Sequence, residues 1–308
     1  MATKQYKEKV LQQLLKETAF KIHEESVAFT LNFIADIDTK LSNKNKIDTL
    51  VFDVDDTLYT FDCGFTVYRN TKVIEEYMVA KLGFKDRASA KAFRDPLFKI
   101  HHSSVKLFQL ASDNGTLPLR PDGTRPVFRP EELGDWFANC DMHTYLDQCV
   151  DTKLFEALRE LKQAGLKIVA FSNAPRKYCL RILKILKLLP LFDEDKIFGV
   201  DDTMPLAKPD PRTFHYVLDK VGSKAQHSVM FEDSMKNLRS AKSIGMKTCL
   251  VTGKPESAAK NKDMVMAIKA GDCPDAQDEC VDYALCVCSD MVDRLPFLWR
   301  KTWQQPHV

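Results

Sequence analysis

No run of apolar residues in the 308-residue chain approaches the ~18–20 needed to span a bilayer. The opening decapeptide, MATKQYKEKV, lacks the apolar stretch of a secretion signal. A soluble, cytoplasmic protein without a membrane partner is therefore expected. There is little excess of charge either. Forty-five basic side chains face forty-three acidic ones, for a net charge of +2. That balance excludes a strongly basic nucleic-acid binder on bulk electrostatics. The nine cysteines contain no C-x-x-C pair, and their number is odd, so reduced thiols are expected. A zinc site built from Cys273, Cys280, Cys286 and Cys288 is one reading of the C-terminal cysteines. The other is a buried strand, because Tyr283 to Cys288 reads YALCVC. Internal repeats and low-complexity tracts are also missing.

What is present divides into three regions. Residues 4–41 carry apolar residues at three- and four-residue steps (Val10, Leu11, Leu14, Leu15, then Val27, Leu31, Ile34), which predicts a helical extension over residues 1–45. Its polar face mixes both signs of charge, so packing against the main body or pairing with a second copy as a homodimer is favoured over membrane-surface binding. From Asp48 onward, near-continuous apolar runs alternate with helical patterns. The runs are Asp48–Val54, Leu166–Phe171, Ile197–Val200, Ser228–Phe231, Thr248–Val251 and Tyr283–Val287. The helices are Leu154–Ala164, Arg176–Leu186, Pro211–Val221 and Met235–Ile244. This alternation predicts an α/β fold, a Rossmann-like parallel sheet covered by helices. Between Asp62 and Val150 the alternation stops. Helical patterns at Val67–Leu82 and Ala88–Ala111, then a loop from Asp113 to Pro130, read as a helical subdomain inserted after the first strand. The organisation expected is a core over residues 46–62 and 151–308 with an insert over 63–150. Trp299 and Trp303 are expected to anchor a C-terminal helix.

In open parallel sheets ligands collect beyond the carboxyl ends of the strands. The first run ends in Asp53-Val54-Asp55-Asp56-Thr57, the second in Ser172-Asn173 and a later one in Glu232-Asp233-Ser234. Lys208 lies in a proline-rich turn between them, Lys208-Pro209-Asp210-Pro211. Each piece alone has an ordinary structural explanation. Asp56 or Asp233 could cap a helix, Ser172-Asn173 could form a turn, and Lys208 could be solvated. Together, each following its own strand, they suit phosphoryl transfer. Crowded carboxylates call for a hard divalent cation, Mg2+ by preference. One carboxylate can attack phosphorus, a second can protonate the leaving oxygen, and a lysine and a hydroxyl can hold the remaining oxygens.

FDVDDTLY, FSNA, LAKPDPRTF and FEDSMKNLRSAKSIGMKTCLV resemble, in order, the four motifs of the haloacid-dehalogenase-like hydrolase superfamily. The match runs from about Ile47 to Trp299. Within it, DDTLY, the long insert and the ending DYAL…LPFLW look most similar to a pyrimidine 5′-nucleotidase-like branch of fungi and plants. The resemblance implies a helical cap and an aspartyl-phosphate mechanism. Asp53 would be nucleophile and metal ligand, Asp55 general acid/base with its carbonyl on the metal, and Asp233 the other side-chain ligand. Ser172 would bind the phosphoryl group and Lys208 would pair with it and with Asp53. Glu232 would act through water, Thr57 would orient the nucleophile loop, and the metal role of Asn237 is open. Asp56 stands where many members have glycine. Substrate contacts are expected from Asn173 and from the insert, at Tyr68, Arg69, His101, His102, Ser103 and Ser104, with Arg176 a further phosphate candidate. For Tyr68, core packing is the competing reading. The substrate expected is a nucleoside monophosphate. A sugar phosphate or phosphoglycolate phosphatase, a mutase, or a scaffold without catalysis are the alternatives. Asp55 favours phosphate chemistry, since a carbon–halogen hydrolase needs no acid there.

Overall fold

The computed structural model describes residues 46–101, 103–254 and 273–299. The expected N-terminal helices, His102 and Trp303 lie outside these residues. Six strands form one parallel sheet in the order β3-β2-β1-β4-β5-β6. They are β1 (Thr49–Phe52), β2 (Lys167–Phe171), β3 (Ile197–Phe198), β4 (Ser228–Glu232), β5 (Lys247–Val251) and β6 (Tyr283–Leu285). Every strand call of the sequence falls on one of these. β1, β2, β3 and β6 are shorter than their apolar runs, whereas β4 reaches one residue further, to Glu232, and β5 begins one residue earlier, at Lys247.

Both faces of the sheet are covered, which is why the strands read as unbroken apolar runs. Leu50, Phe52, Ile168, Ala170, Val229 and Phe231 point into one core. Val51, Val169, Phe171 and Met230 point into the other. β1 pairs with β2 and β4 on its two sides, with Phe52 opposite Ala170 and Phe231. The ends of β1, β2 and β4 are thereby brought to one edge.

Between β1 and β2 the chain builds the expected helical insert. Phe65–Tyr68, a π turn at Arg69–Val73 and Ile74–Lys81 run on as one helical rod. The predicted helix over Ala88–Ala111 is two, Arg87–His101 and Ser104–Asp113. Ser103 separates them with an extended backbone, its Oγ accepting from the Lys106 N–H at 3.4 Å. The loop after Asp113 ends where Pro130 starts the helix Pro130–Ala138. This helix leans on Arg176–Ile185, the helix that follows β2, with Phe137 against Tyr178 at 5.6 Å between ring centres.

Two backbone features serve the strand-end edge. Asp56 has φ +58°, a left-handed conformation that asparagine and aspartate tolerate best after glycine. Its carboxylate accepts from Thr66 Oγ1 at 2.7 Å, which ties the turn after β1 to the insert. Gly199 lets the backbone of Arg176 approach so closely that a Cβ would stand 2.1 Å from its nitrogen. Trp299 ends a short 3-10 turn, Pro296–Trp299, and donates to Glu160 at 3.0 Å.

Candidate active site

Lys208 is the centre of the strand-end cluster. It is 1% exposed, and its ammonium donates to Asp53 Oδ1 at 2.6 Å, Glu232 Oε2 at 2.8 Å and the Phe171 carbonyl at 2.8 Å. All three of its protons are used, one each on the ends of β1, β2 and β4. Asn173 fixes the same residue from its backbone. Its Oδ1 accepts from the Lys208 N–H at 2.9 Å and its Nδ2 donates to the Lys208 carbonyl at 2.7 Å. Desolvation opposes the charge on Lys208, and Asp53 and Glu232 outweigh it, so its pKa lies above the ordinary lysine value. Asp53 is pushed up to about 8, first by burial and then by the charge of Glu232, with Lys208 opposing.

Asp53, Glu232 and Asp233 each offer an oxygen within 4.8 Å of the other two, and all three residues are buried. Glu232 also accepts from Asn237 Nδ2 at 3.0 Å, while Asn237 Oδ1 is buried with no hydrogen-bond partner. Three carboxylates beside one ammonium, with an unsatisfied amide oxygen next to them, form an all-oxygen donor set with surplus negative charge. Such a set fits a hard divalent cation. The sequence reading placed Glu232 behind water; the geometry gathers its carboxylate with those of Asp53 and Asp233.

Asp55 stands apart from this cluster. Its Oδ1 accepts from Tyr59 at 2.6 Å and from Tyr178 at 2.5 Å, and its Oδ2 pairs with Arg69 at 2.5 Å. Arg69 also donates to the Tyr178 hydroxyl at 2.5 Å. Burial works against the guanidinium charge, and the Asp55 carboxylate more than restores it. Burial also drives the phenols of Tyr59 and Tyr178 well above their usual range, so both remain donors. Tyr59 could have been suspected from its place four residues after Asp55. Tyr178 carries no such signal, since it reads as one more aromatic on a buried helix face.

A cavity of about 160 Å3 opens over these groups, lined by Asp53, Asp55, Ser172, Asn173, Lys208 and Asp233, and on the insert side by Arg69, Asn70, Phe98, Ser103, Ser104 and Phe137. Ser172 accepts from the Ala174 N–H at 3.0 Å. Lys236, which the sequence did not single out, also lines the cavity. Several expected contacts lie elsewhere. Tyr68 stacks on Tyr145 at 4.8 Å and lines a separate cavity, in line with its core-packing reading. His101 ends its helix away from the lining. Arg176 donates to the carbonyls of Ile197 and Glu194, which turns its guanidinium to the neighbouring loop. Thr57 Oγ1 is buried without a hydrogen-bond partner. The four C-terminal cysteines are not gathered as metal ligands; among the described residues the one such group is the carboxylate cluster.

A sequence profile of the haloacid dehalogenase-like hydrolase family matches residues 47–245, which is more than half of the chain. The chain belongs to the haloacid dehalogenase-like hydrolase family. Its catalytic relatives include phosphatases. A phosphoglycolate phosphatase of Pseudomonas syringae pv. syringae is 32% identical over 91 residues, covering 30% of this chain and 32% of that protein. A phosphorylated carbohydrates phosphatase of Thermotoga maritima is 33% identical over 91 residues, covering 30% of this chain and 41% of its own length. The chain thus spans about a third to two fifths of the length of these curated relatives. The fold is that of a HAD phosphatase from Thermococcus onnurineus, with a TM-score of 0.50 at 20% identity over 80% of this chain and 97% of the other. Among the described residues no helix is long and apolar enough to cross a membrane.

Proposed function

We propose that the protein is a magnesium-dependent phosphomonoesterase for a small, compact phosphate ester of the phosphoglycolate or sugar-phosphate class, working through an aspartyl phosphate on Asp53. The observation that carries this is the Asp53–Lys208–Glu232–Asp233 cluster on the floor of a cavity of only about 160 Å3. Pockets for drug-sized ligands run from roughly 300 to 1,000 Å3. A nucleoside monophosphate, with both base and ribose, is large for this space. The relatives named above point the same way, so the nucleotidase expectation from DDTLY and the ending DYAL…LPFLW gives way to the smaller substrate.

Asp53, Glu232 and Asp233 would hold the metal, with Asn237 beside them. When bound, magnesium offsets negative charge on the phosphoryl oxygens and lowers the pKa of Asp53. Asp53 then attacks phosphorus while Ser172 holds a phosphoryl oxygen and the Lys208 charge, fixed beside Asp53, offsets the negative charge that develops. Asp55 enters the step protonated and gives that proton to the departing alkoxide; as the carboxylate that Arg69, Tyr59 and Tyr178 then hold, it takes a proton from the water that cleaves the acyl phosphate. Arg69, Tyr59 and Tyr178 position the Asp55 carboxyl at the cavity wall. Arg69 has further N–H groups to offer an anionic part of the substrate, such as a carboxylate.

Phosphate release from phosphoglycolate, small sugar phosphates, UMP, CMP and purine monophosphates, with magnesium and after chelation, tests the reading. Small esters should turn over best, chelation should stop them, and Asp53→Asn should reduce the rate at least about 10⁴-fold. Preferential turnover of UMP would restore the nucleotidase assignment. Activity surviving in Asp53→Asn would overturn the covalent mechanism.

A further inference from the structure

The insert joins the sheet through two short segments, one leaving after β1 and one returning before the helix Thr152–Gln163. A cysteine ends a 3-10 turn in each. Cys63 closes Phe61–Cys63 and Cys149 closes Asp147–Cys149. The two turns are brought together by side chains. A Cβ at Gly64, next to Cys63, would stand 3.8 Å from the Tyr145 ring, and Cys149 Sγ donates to the Tyr145 carbonyl at 3.5 Å. The two thiols lie near enough for each to perturb the other's ionisation. Both residues are only half-buried, and Cys149 lines a cavity of about 350 Å3 that follows the two connecting segments.

We propose that Cys63 and Cys149 form a reversible disulfide that fastens the two connections between insert and sheet to one another. The insert then becomes a closed covalent loop, which restrains any hinge at its base. The oxidant is a small disulfide such as oxidised glutathione. The Cys149 thiolate attacks one sulfur of it, forming a mixed disulfide and expelling one glutathione, which takes up the proton Cys149 lost. The Cys63 thiol then gives up its proton and attacks Cys149 sulfur, and the second glutathione leaves with that proton. Two protein thiols are oxidised and one glutathione disulfide is reduced to two thiols. Chemistry favours this order of attack. The neighbouring Cys63 holds the Cys149 thiol below its ordinary value, and Cys149 in turn pushes that of Cys63 up. The contrast with Cys249 and Cys288 is instructive. Both are buried, and desolvation raises both thiols and holds them in the neutral form, which makes them poor nucleophiles.

The inference does not depend on the substrate reading, and neither does its test. Full-length reduced protein is treated with oxidised glutathione, alkylated and digested, and the amide exchange of residues 58–65 and 146–151 is followed. A peptide linked through Cys63 and Cys149 is expected, reversed by dithiothreitol, with exchange in both segments slowed roughly tenfold. Cys63→Ser should stop at the mixed disulfide on Cys149. Protein that stays folded while both cysteines remain alkylated, or link to other cysteines, would overturn the proposal. So would a correct linkage that leaves exchange unchanged. Should a serine variant fail to fold, the wild-type peptide map still decides.

Discussion

The strand-end wall of the cavity and its helical wall hold their charges in different ways. On the strand side, Lys208 spends all its protons on groups fixed by sheet register: Asp53 after β1, Phe171 at the end of β2 and Glu232 at the end of β4. Once the sheet is paired, these distances follow. On the helical side, Asp55 is held by Arg69 from a π turn and by Tyr178 from a helix more than a hundred residues on. Nothing local in the chain sets that meeting; it depends on the helix after β2 packing beside the sheet edge and on the insert bringing Arg69 over it. The strand wall is therefore a structural charge cluster as well as a chemical one, whereas the helical wall adds selectivity and proton handling.

The strongest way to break this comparison is Lys208→Met. It leaves Asp53 and Glu232 buried beside each other without their cation. Breaking a buried pair by removing one partner costs about 3–5 kcal/mol. Lower stability by denaturant titration, together with loss of turnover, is expected. A Lys208→Met protein as stable as the wild type would show that the cluster is not structural.

Next in size is a pH effect that belongs to the strand wall alone. Burial and Glu232 raise the Asp53 carboxyl from its ordinary value near 3.8 to about 8. Between these values the folded, metal-free protein keeps a proton that the unfolded chain has released. This contribution to stability is complete below the unfolded pKa and is lost as pH rises through the folded one. Between pH 6 and 7.5 the loss is about 2 kcal/mol, or a few degrees of Tm. Thermal scans of metal-free protein should show the decline. Asp53→Asn, which cannot ionise, should flatten it, as should excess magnesium. A metal-free wild-type profile no steeper than that of the asparagine variant would refute the raised carboxyl.

These differences also explain what the sequence disclosed. Asp53, Ser172, Lys208 and Asp233 each follow a strand or sit in a turn between strands, so apolar runs ending in polar residues located them together. Asp56 has a left-handed backbone, a conformation that glycine adopts without strain. Tyr68 and His101 are singled out by their place in the insert and Arg176 by its place after FSNA, and place along the chain does not say which way a helix turns its side chains. Tyr68 faces Tyr145, and Arg176 satisfies loop carbonyls. The break at Ser103 was hidden because the helical pattern continues through it on both sides. Tyr178 shows its role only once its helix packs beside the sheet edge, where its hydroxyl meets Asp55.

The smallest effect sharpens the helical wall, by comparing two adjacent residues that the sequence treated alike. Arg69 touches Asp55 and lines the cavity; Tyr68, one position earlier, packs on Tyr145 and Phe65. Arg69→Gln removes the charge that holds the Asp55 carboxyl, so kcat should fall about tenfold, equivalent to about 1.4 kcal/mol in the barrier. Folding should hold, since Tyr59 and Tyr178 still donate to Asp55. Tyr68→Leu should cost about 0.5–1.5 kcal/mol of stability through the lost ring contact, with kcat and KM for a small ester within about twofold of wild type. Steady-state kinetics beside denaturant titrations would separate the two. If Tyr68→Leu raised KM while Arg69→Gln left kcat alone, the cavity would have to reach past Arg69 to the aromatic pair, and the division between walls drawn here would fail.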